Sequence, residues 1–127
     1  MPGPPNHKAL NWTRNGLQEL QTDYWGYETS WTLSGPNIDI QTPAYKYDNQ
    51  TFYMEEYELP ANECYTFTMS DSYGDGILYG WYKLFWDNVE IASVPGNFGS
   101  TKIDFIGNNC PTNNSPILPG NVEMRPP

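Results

Sequence analysis

The stretch Cys64-Tyr-Thr-Phe-Thr-Met-Ser-Asp-Ser-Tyr-Gly-Asp-Gly76 constrains this chain more than any other. Tyr65, Phe67 and Met69 alternate with Cys64, Thr66 and Thr68, the period of a strand with one apolar face. The strand then breaks into Asp71-Ser-Tyr-Gly-Asp-Gly76, two carboxylates set among glycines. Glycine tolerates positive φ, so such a loop can curl and aim its oxygens at one point. A hard cation such as calcium takes about six to eight oxygens, which is what this loop begins to supply. The same residues equally make a solvated acidic turn, because Asp and Gly favour turns. On this loop alone both readings stand.

The loop is not an EF-hand. Asp71, Asp75 and Gly76 fit the first, fifth and sixth positions of that pattern, but Tyr73 and Tyr82 occupy positions that need oxygen ligands. The segment after the loop also reads as a strand, not a helix. Further ligands must therefore come from elsewhere in the chain. Asp23 and Glu28, in a second acidic loop containing Gly26, are the candidates. If the two strands that deliver these loops run in the same sense, Asp23, Glu28, Asp71 and Asp75 converge. Four such carboxylates repel one another unless a cation such as calcium stands between them. The bland alternative is a Glu28 hydrogen-bonded within its own turn.

No stretch carries a helical period of useful length. Short alternating segments start near Leu17, Thr29, Ile38, Thr51, Cys64, Trp81, Glu90 and Thr101, with turn residues such as Ser34-Gly35-Pro36 and Asp87-Asn88 between them. Pro60-Ala-Asn-Glu63 reads as a hairpin connection, and Glu55 breaks the apolar side formed by Tyr53, Tyr57 and Leu59. The expected fold is an all-β, jelly-roll-like antiparallel sandwich. At 127 residues it is one domain, with no internal repeat. Eight of the twelve prolines lie in the two ends of the chain, where no ladder uses them. We therefore expect an extended arm over 1–15, a sandwich over 16–110 and a second, Pro-rich arm over 111–127.

Charge and composition exclude several function classes. A net charge of −9 with six Lys and Arg is wrong for nucleic acid. No apolar run approaches membrane-spanning length, so membrane insertion is not expected. His7 is the single histidine, no serine-elbow or P-loop pattern occurs, and Glu55 and Glu56 point opposite ways on a strand. We expect no enzyme. Cys64 and Cys110 are enough for one disulfide, which would tie the C-terminal segment to the sheet, or they are two free thiols. Aromatic residues are 16% of the chain, a load that suits both strands and contact surfaces. Trp81 and Phe85, with Lys83 between, face outward if Tyr82, Leu84 and Trp86 face the core; such a row suits a sugar or a protein surface. If both faces are covered, the two stripes are core.

Thr22-Asp23, Glu28-Thr29-Ser30-Trp31, Cys64-Tyr-Thr-Phe-Thr and Asp71-Ser-Tyr-Gly-Asp-Gly form a distinctive set. They continue through Tyr82-Lys-Leu84, Asp87-Asn88-Val89 and Phe98-Gly99-Ser100. The set resembles a β-sandwich module of secreted and surface proteins of marine bacteria and algae, and of phages of marine cyanobacteria. The resemblance covers about residues 17–110. It is similar, more distantly, to the pre-peptidase C-terminal domain. The resemblance implies an ancillary module that binds, adheres or stabilises. Many relatives place an extra Cys pair just after the Asp-Gly loop, where Leu78 and Tyr79 stand here. The loop must then be fixed by packing, by a cation or by a neighbour.

Three functional readings are open. The first is a structural protein of a phage-like particle: a decoration, cement or tail-associated protein on the virion exterior. Its arms would dock on neighbouring subunits, a major capsid or a tail protein, with Trp12 the anchor in one arm and Ile117, Leu118, Val122 and Met124 in the other. The second is a calcium-dependent carbohydrate-binding or adhesion module at a cell surface. The third is an accessory domain of a secreted enzyme.

Overall fold

The computed structural model describes residues 13–43 and 45–113. They form eight strands: β1 (Thr13–Gln21), β2 (Thr29–Gly35), β3 (Ile38–Gln41), β4 (Phe52–Pro60), β5 (Cys64–Asp71), β6 (Trp81–Trp86), β7 (Val89–Pro95) and β8 (Thr101–Gly107). One sheet has the order β4-β1-β6-β7 and the other β3-β2-β5-β8. All pairings are antiparallel. The apolar faces of the two sheets meet, so the protein is an all-β sandwich.

The strand order follows from two bent ribbons. Paired β1 and β4 lie in the first sheet, and the same ribbon continues as paired β2 and β3 in the second. Paired β5 and β8 in the second sheet continue as β6 and β7 in the first. Exchanging β1–β4 with β5–β8 turns one sheet order into the other. The sequence has no repeat, yet the strand plan does. As a consequence the four segments that carry a ribbon from one sheet to the other, 22–28, 42–51 (of which 42–43 and 45–51 are described), 72–80 and 96–100, lie at one end, the crossover end. Residues 61–63, which join the two ribbons across the sheets, lie at the opposite end. That opposite end, the turn end, also holds the tight turns at Asn37 and Asp87-Asn88. These residues adopt φ of 61°, 52° and 70°, which Asn and Asp tolerate better than most.

Rings fill the interior. Trp31, Tyr47, Tyr65, Phe67, Tyr82 and Trp86 are buried among Leu20, Leu33, Leu59, Met69, Leu84 and Ile106. Trp31 stacks on Phe67 at 5.5 Å, and Phe67 lies 5.7 Å from Tyr82. Each polar tip is answered, as burial of Tyr and Trp requires. Tyr82 donates to Asp104 at 2.6 Å, Tyr65 to the Pro60 carbonyl at 2.7 Å, and Trp86 to Asn108 at 2.7 Å. Trp31 donates to the Tyr47 hydroxyl, which donates in turn to Glu55. Glu55 interrupts the apolar side of β4 for this reason: it faces inward, held by Tyr47 and Lys46.

Several expectations need correction. β1 begins at Thr13, so residues 13–15 belong to the sheet and not to an arm. Pro60–Glu63 is not a hairpin, since β4 and β5 lie in different sheets; apolar alternation on both strands fits either arrangement. Cys64 and Cys110 are joined by a disulfide with Cα atoms 5.2 Å apart. Just beyond it, the Asn113 side chain accepts the Phe105 N–H at 2.7 Å and donates to the Phe105 and Ile91 carbonyls. It thereby occupies backbone groups on two edge strands, β8 and β7, and blunts those edges. Residues 111–113 are thus tied to the sandwich. His7 and the arm residues Trp12, Ile117, Leu118, Val122 and Met124 lie outside the described residues.

Candidate metal centre

The end of β5 carries the site. Asp71 shares the inward parity of Tyr65, Phe67 and Met69, so strand alternation turns its carboxylate toward the interior where the apolar core ends. It is 4% exposed. Its Oδ2 accepts the backbone N–H groups of Gly74, Asp75 and Gly76 at 2.7, 2.8 and 3.2 Å. Gly74 and Gly76 have φ of +100° and +79°, which lets the loop wrap around this one oxygen. A Cβ at Gly76 would also strike the Gly96 carbonyl. Ile77, fully buried, then plugs the loop into the core, and its N–H bonds to the Gly96 carbonyl at 2.7 Å. Packing and one carboxylate hold this loop.

β2 brings the partners. Thr29 faces Asp71 across the β2–β5 ladder, and Glu28 precedes it at the end of a single 3-10 turn, Gly26–Glu28. The Glu28 carbonyl accepts the Ser72 N–H at 3.0 Å, which locks the two loops together. Glu28, Asp71 and Asp75 each offer a carboxylate oxygen, and these three atoms all lie within 4.8 Å of one another. The remaining oxygen of Asp71, Oδ1, has no hydrogen-bond partner and no access to solvent. The same holds for Oδ1 of Asp75 and for Oγ1 of Thr29, a residue only 1% exposed. Buried polar atoms seldom go unanswered, and here they belong to two of the clustered carboxylates and to the residue paired with Asp71 across the ladder.

The electrostatics match the geometry. Burial raises the pKa of Glu28, and the charges of Asp71, Asp75 and Asp23 raise it further. Asp75 is also raised, first by its contact with the Asp71 carboxyl, then by burial and by the charge of Asp71. The basic side chains among the described residues are engaged elsewhere. Arg14 pairs with Asp87 at 3.7 Å, Lys46 with Glu55, Lys83 with Glu90 at 3.7 Å and Lys102 with Asp104 at 2.7 Å. None of these four pairs neutralises the acidic trio. Like charges this close favour a bound cation or shared protons.

Asp23 stands apart from the trio. It is buried, its Oδ1 accepts the Trp25 N–H at 2.8 Å, and its carbonyl accepts the Gln50 N–H at 2.7 Å. It closes its own crossover turn, a role its place among turn residues also permits. β1 and β5 do end at the same end of the sandwich, so the two acidic loops meet. Glu28 is the residue of its loop that reaches across.

Trp81, Lys83 and Phe85 do face away from the core, opposite buried Tyr82, Leu84 and Trp86. They are only half-buried and are knit into the sheet surface. Trp81 lies against Phe52 at 5.9 Å, and the Lys83 ammonium sits 5.5 Å from the Trp81 ring centre. Apart from Phe52, the more exposed rings are on the crossover loops: Tyr24, Trp25, Tyr27, Tyr45, Tyr73 and Tyr79 are 42–92% exposed. Trp25, Tyr27 and Tyr73 line, with Glu28 and Asp75, an open cleft of about 460 Å³. Sequence reasoning missed these rings and Thr29. The available signal was the density of aromatics inside two glycine-bearing turns, where no strand needs them.

Comparison of the chain with known protein families, curated proteins and solved structures returns no match.

Proposed function

We propose that this chain is a non-catalytic sandwich module whose crossover end is completed by a divalent cation held by Glu28, Asp71 and Asp75. The observation that carries this reading is the buried, unpartnered Oδ1 of Asp71 beside two further carboxylates within 4.8 Å. An all-oxygen donor set of carboxylates and a hydroxyl favours a hard ion. Calcium suits it better than magnesium, because calcium accepts irregular, higher coordination. The reading is one of binding and not of acid–base catalysis. The Oδ2 of Asp71, fixed by three N–H groups, is a strut for the loop.

The setting we propose is oxidising, a virion exterior or a cell surface, where a bridge such as Cys64–Cys110 persists. Docking on a capsid or tail protein would rest on arm residues outside the described ones, so the cation site carries the proposal and the arms do not.

Calorimetric melting in calcium and in chelator tests it. An ion that binds only the folded state at about a hundredfold over its Kd adds about 2.7 kcal/mol. Melting should therefore rise with calcium, and less with magnesium. Glu28→Gln and Asp75→Asn should each remove the shift, while melting no lower than the parent in chelator, since one repelling charge has gone. An unchanged midpoint in calcium refutes the reading.

A further inference from the structure

The donors at the crossover end do not close a calcium shell. Three carboxylates and the Thr29 hydroxyl leave positions open out of about six to eight. Two of those carboxylates, Glu28 and Asp75, also form the wall of the open cleft, so the unfilled side of the ion would look into it. The other walls are the rings of Trp25, Tyr27 and Tyr73, which are 42%, 49% and 77% exposed. The cleft therefore combines exposed aromatic rings with two of the three carboxylates that would hold the ion. At about 460 Å³ it falls in the range of small-molecule sites.

We propose that this cleft binds a neutral saccharide, with two neighbouring hydroxyls on the cation and the apolar C–H surface of the sugar against both Trp25 and Tyr73. Such binding rests on the cation reading above. The chemistry of each wall selects the ligand. A vicinal diol supplies two neutral oxygens to an ion still short of ligands, and an apolar sugar face lies flat on an aromatic ring. Charge selects among sugars. Three carboxylates around a divalent ion leave one net negative charge, and the whole chain carries −9. An anionic sugar is repelled, whereas a neutral one is not.

The test uses the full chain and affinity electrophoresis through gels of mannan, laminarin, alginate or dextran sulfate, in calcium or in chelator. Calcium binding is followed separately by calorimetry. Retention by a neutral polysaccharide in calcium, lost in chelator, is the expected result. Trp25→Ala and Tyr73→Ala, both exposed positions, should each weaken retention about tenfold while leaving calcium binding intact. Glu28→Gln should abolish both. Calcium binding without retention on either neutral gel overturns this inference and leaves the cation site standing. Retention that survives chelator and Trp25→Ala overturns it as well, as does a preference for the two anionic gels. If choline competes for the cleft in chelator, the rings and carboxylates form an ammonium cage instead, and the saccharide proposal falls. A failure of calcium to bind at all sinks both readings and is seen directly in the calorimeter.

Discussion

At the turn end of the sandwich the buried polar tips are answered: Tyr65 by a carbonyl of the β4–β5 link, Trp86 by Asn108. A disulfide and the Asn113 side chain close the same region. At the crossover end Thr29, Asp71 and Asp75 each keep a shielded oxygen without a partner, and large rings stand in solvent. Both ends are made by the same two ribbons, so the strand plan does not explain the difference. Loop length does. Two-residue turns have no room for anything but their own backbone requirements, whereas the crossover segments carry side chains that the core does not use. Function concentrates on such loops when a rigid scaffold positions them. One end stabilises the fold, and the other holds unsatisfied groups that suit a ligand.

The largest expected effect breaks both ends together, through the ring core they share. Burial, with the neighbouring Glu55 charge, pushes the Tyr57 phenol up to about 12. Tyr47, Tyr65 and Tyr82 are also raised, in each case chiefly by burial. In the unfolded chain a phenol ionises near about pH 10, so between these values the folded state holds protons that the unfolded state has lost. Stability is therefore full below about pH 10 and falls as pH climbs toward about 12. The part of the phenolate absorbance that Tyr47, Tyr57, Tyr65 and Tyr82 contribute, found by difference from Tyr→Phe variants at the exposed tyrosines, should rise in step with loss of near-ultraviolet circular dichroism. Ionisation of these four before the fold is lost would contradict the burial described here.

A smaller effect separates the ends. Cys64→Ser with Cys110→Ser removes a bridge between residues 46 apart, worth about 4 kcal/mol in the chain-entropy model. Melting should drop accordingly. Calcium binding by the molecules still folded should be unchanged, because the bridge lies at the opposite end from Glu28, Asp71 and Asp75. If calcium affinity falls with the bridge, the two ends are coupled and the comparison fails.

The smallest effect concerns the one buried side chain without a polar partner, among the described residues, that belongs to neither end. Gln18 is 3% exposed on β1, and both polar atoms of its side chain lack partners. Its neighbours include Trp31, Leu33, Phe67 and Leu84. Gln18→Leu should raise stability by about 1–2 kcal/mol, since it removes an unanswered polar group without emptying its space. Unfolding in urea measures it. A loss of stability would mean that the amide is satisfied in solution.

Much of this was legible in the chain. The alternation of Tyr65, Phe67 and Met69, and of Tyr82, Leu84 and Trp86, named the inward faces, because a strand has a fixed period of two. Asp87 and Asn88 marked a turn through their tolerance of positive φ, whereas the turn expected at Ser34-Gly35-Pro36 falls one step later, at Pro36-Asn37, because Ser34 and Gly35 continue β2. Asp71 announced itself as the last inward residue before a glycine-bearing loop. These are local properties, set by neighbours in sequence. Tertiary structure decided the rest. Only packing made Pro60–Glu63 a link between sheets, turned Glu55 inward toward Tyr47 and Lys46, and kept Asp23 within its own turn while Glu28 reached Asp71. Only the pairing of β2 with β5 set Thr29 beside that carboxylate. The order of strands in a sheet depends on which distant segments meet, and alternation on each strand is the same whichever partner it finds.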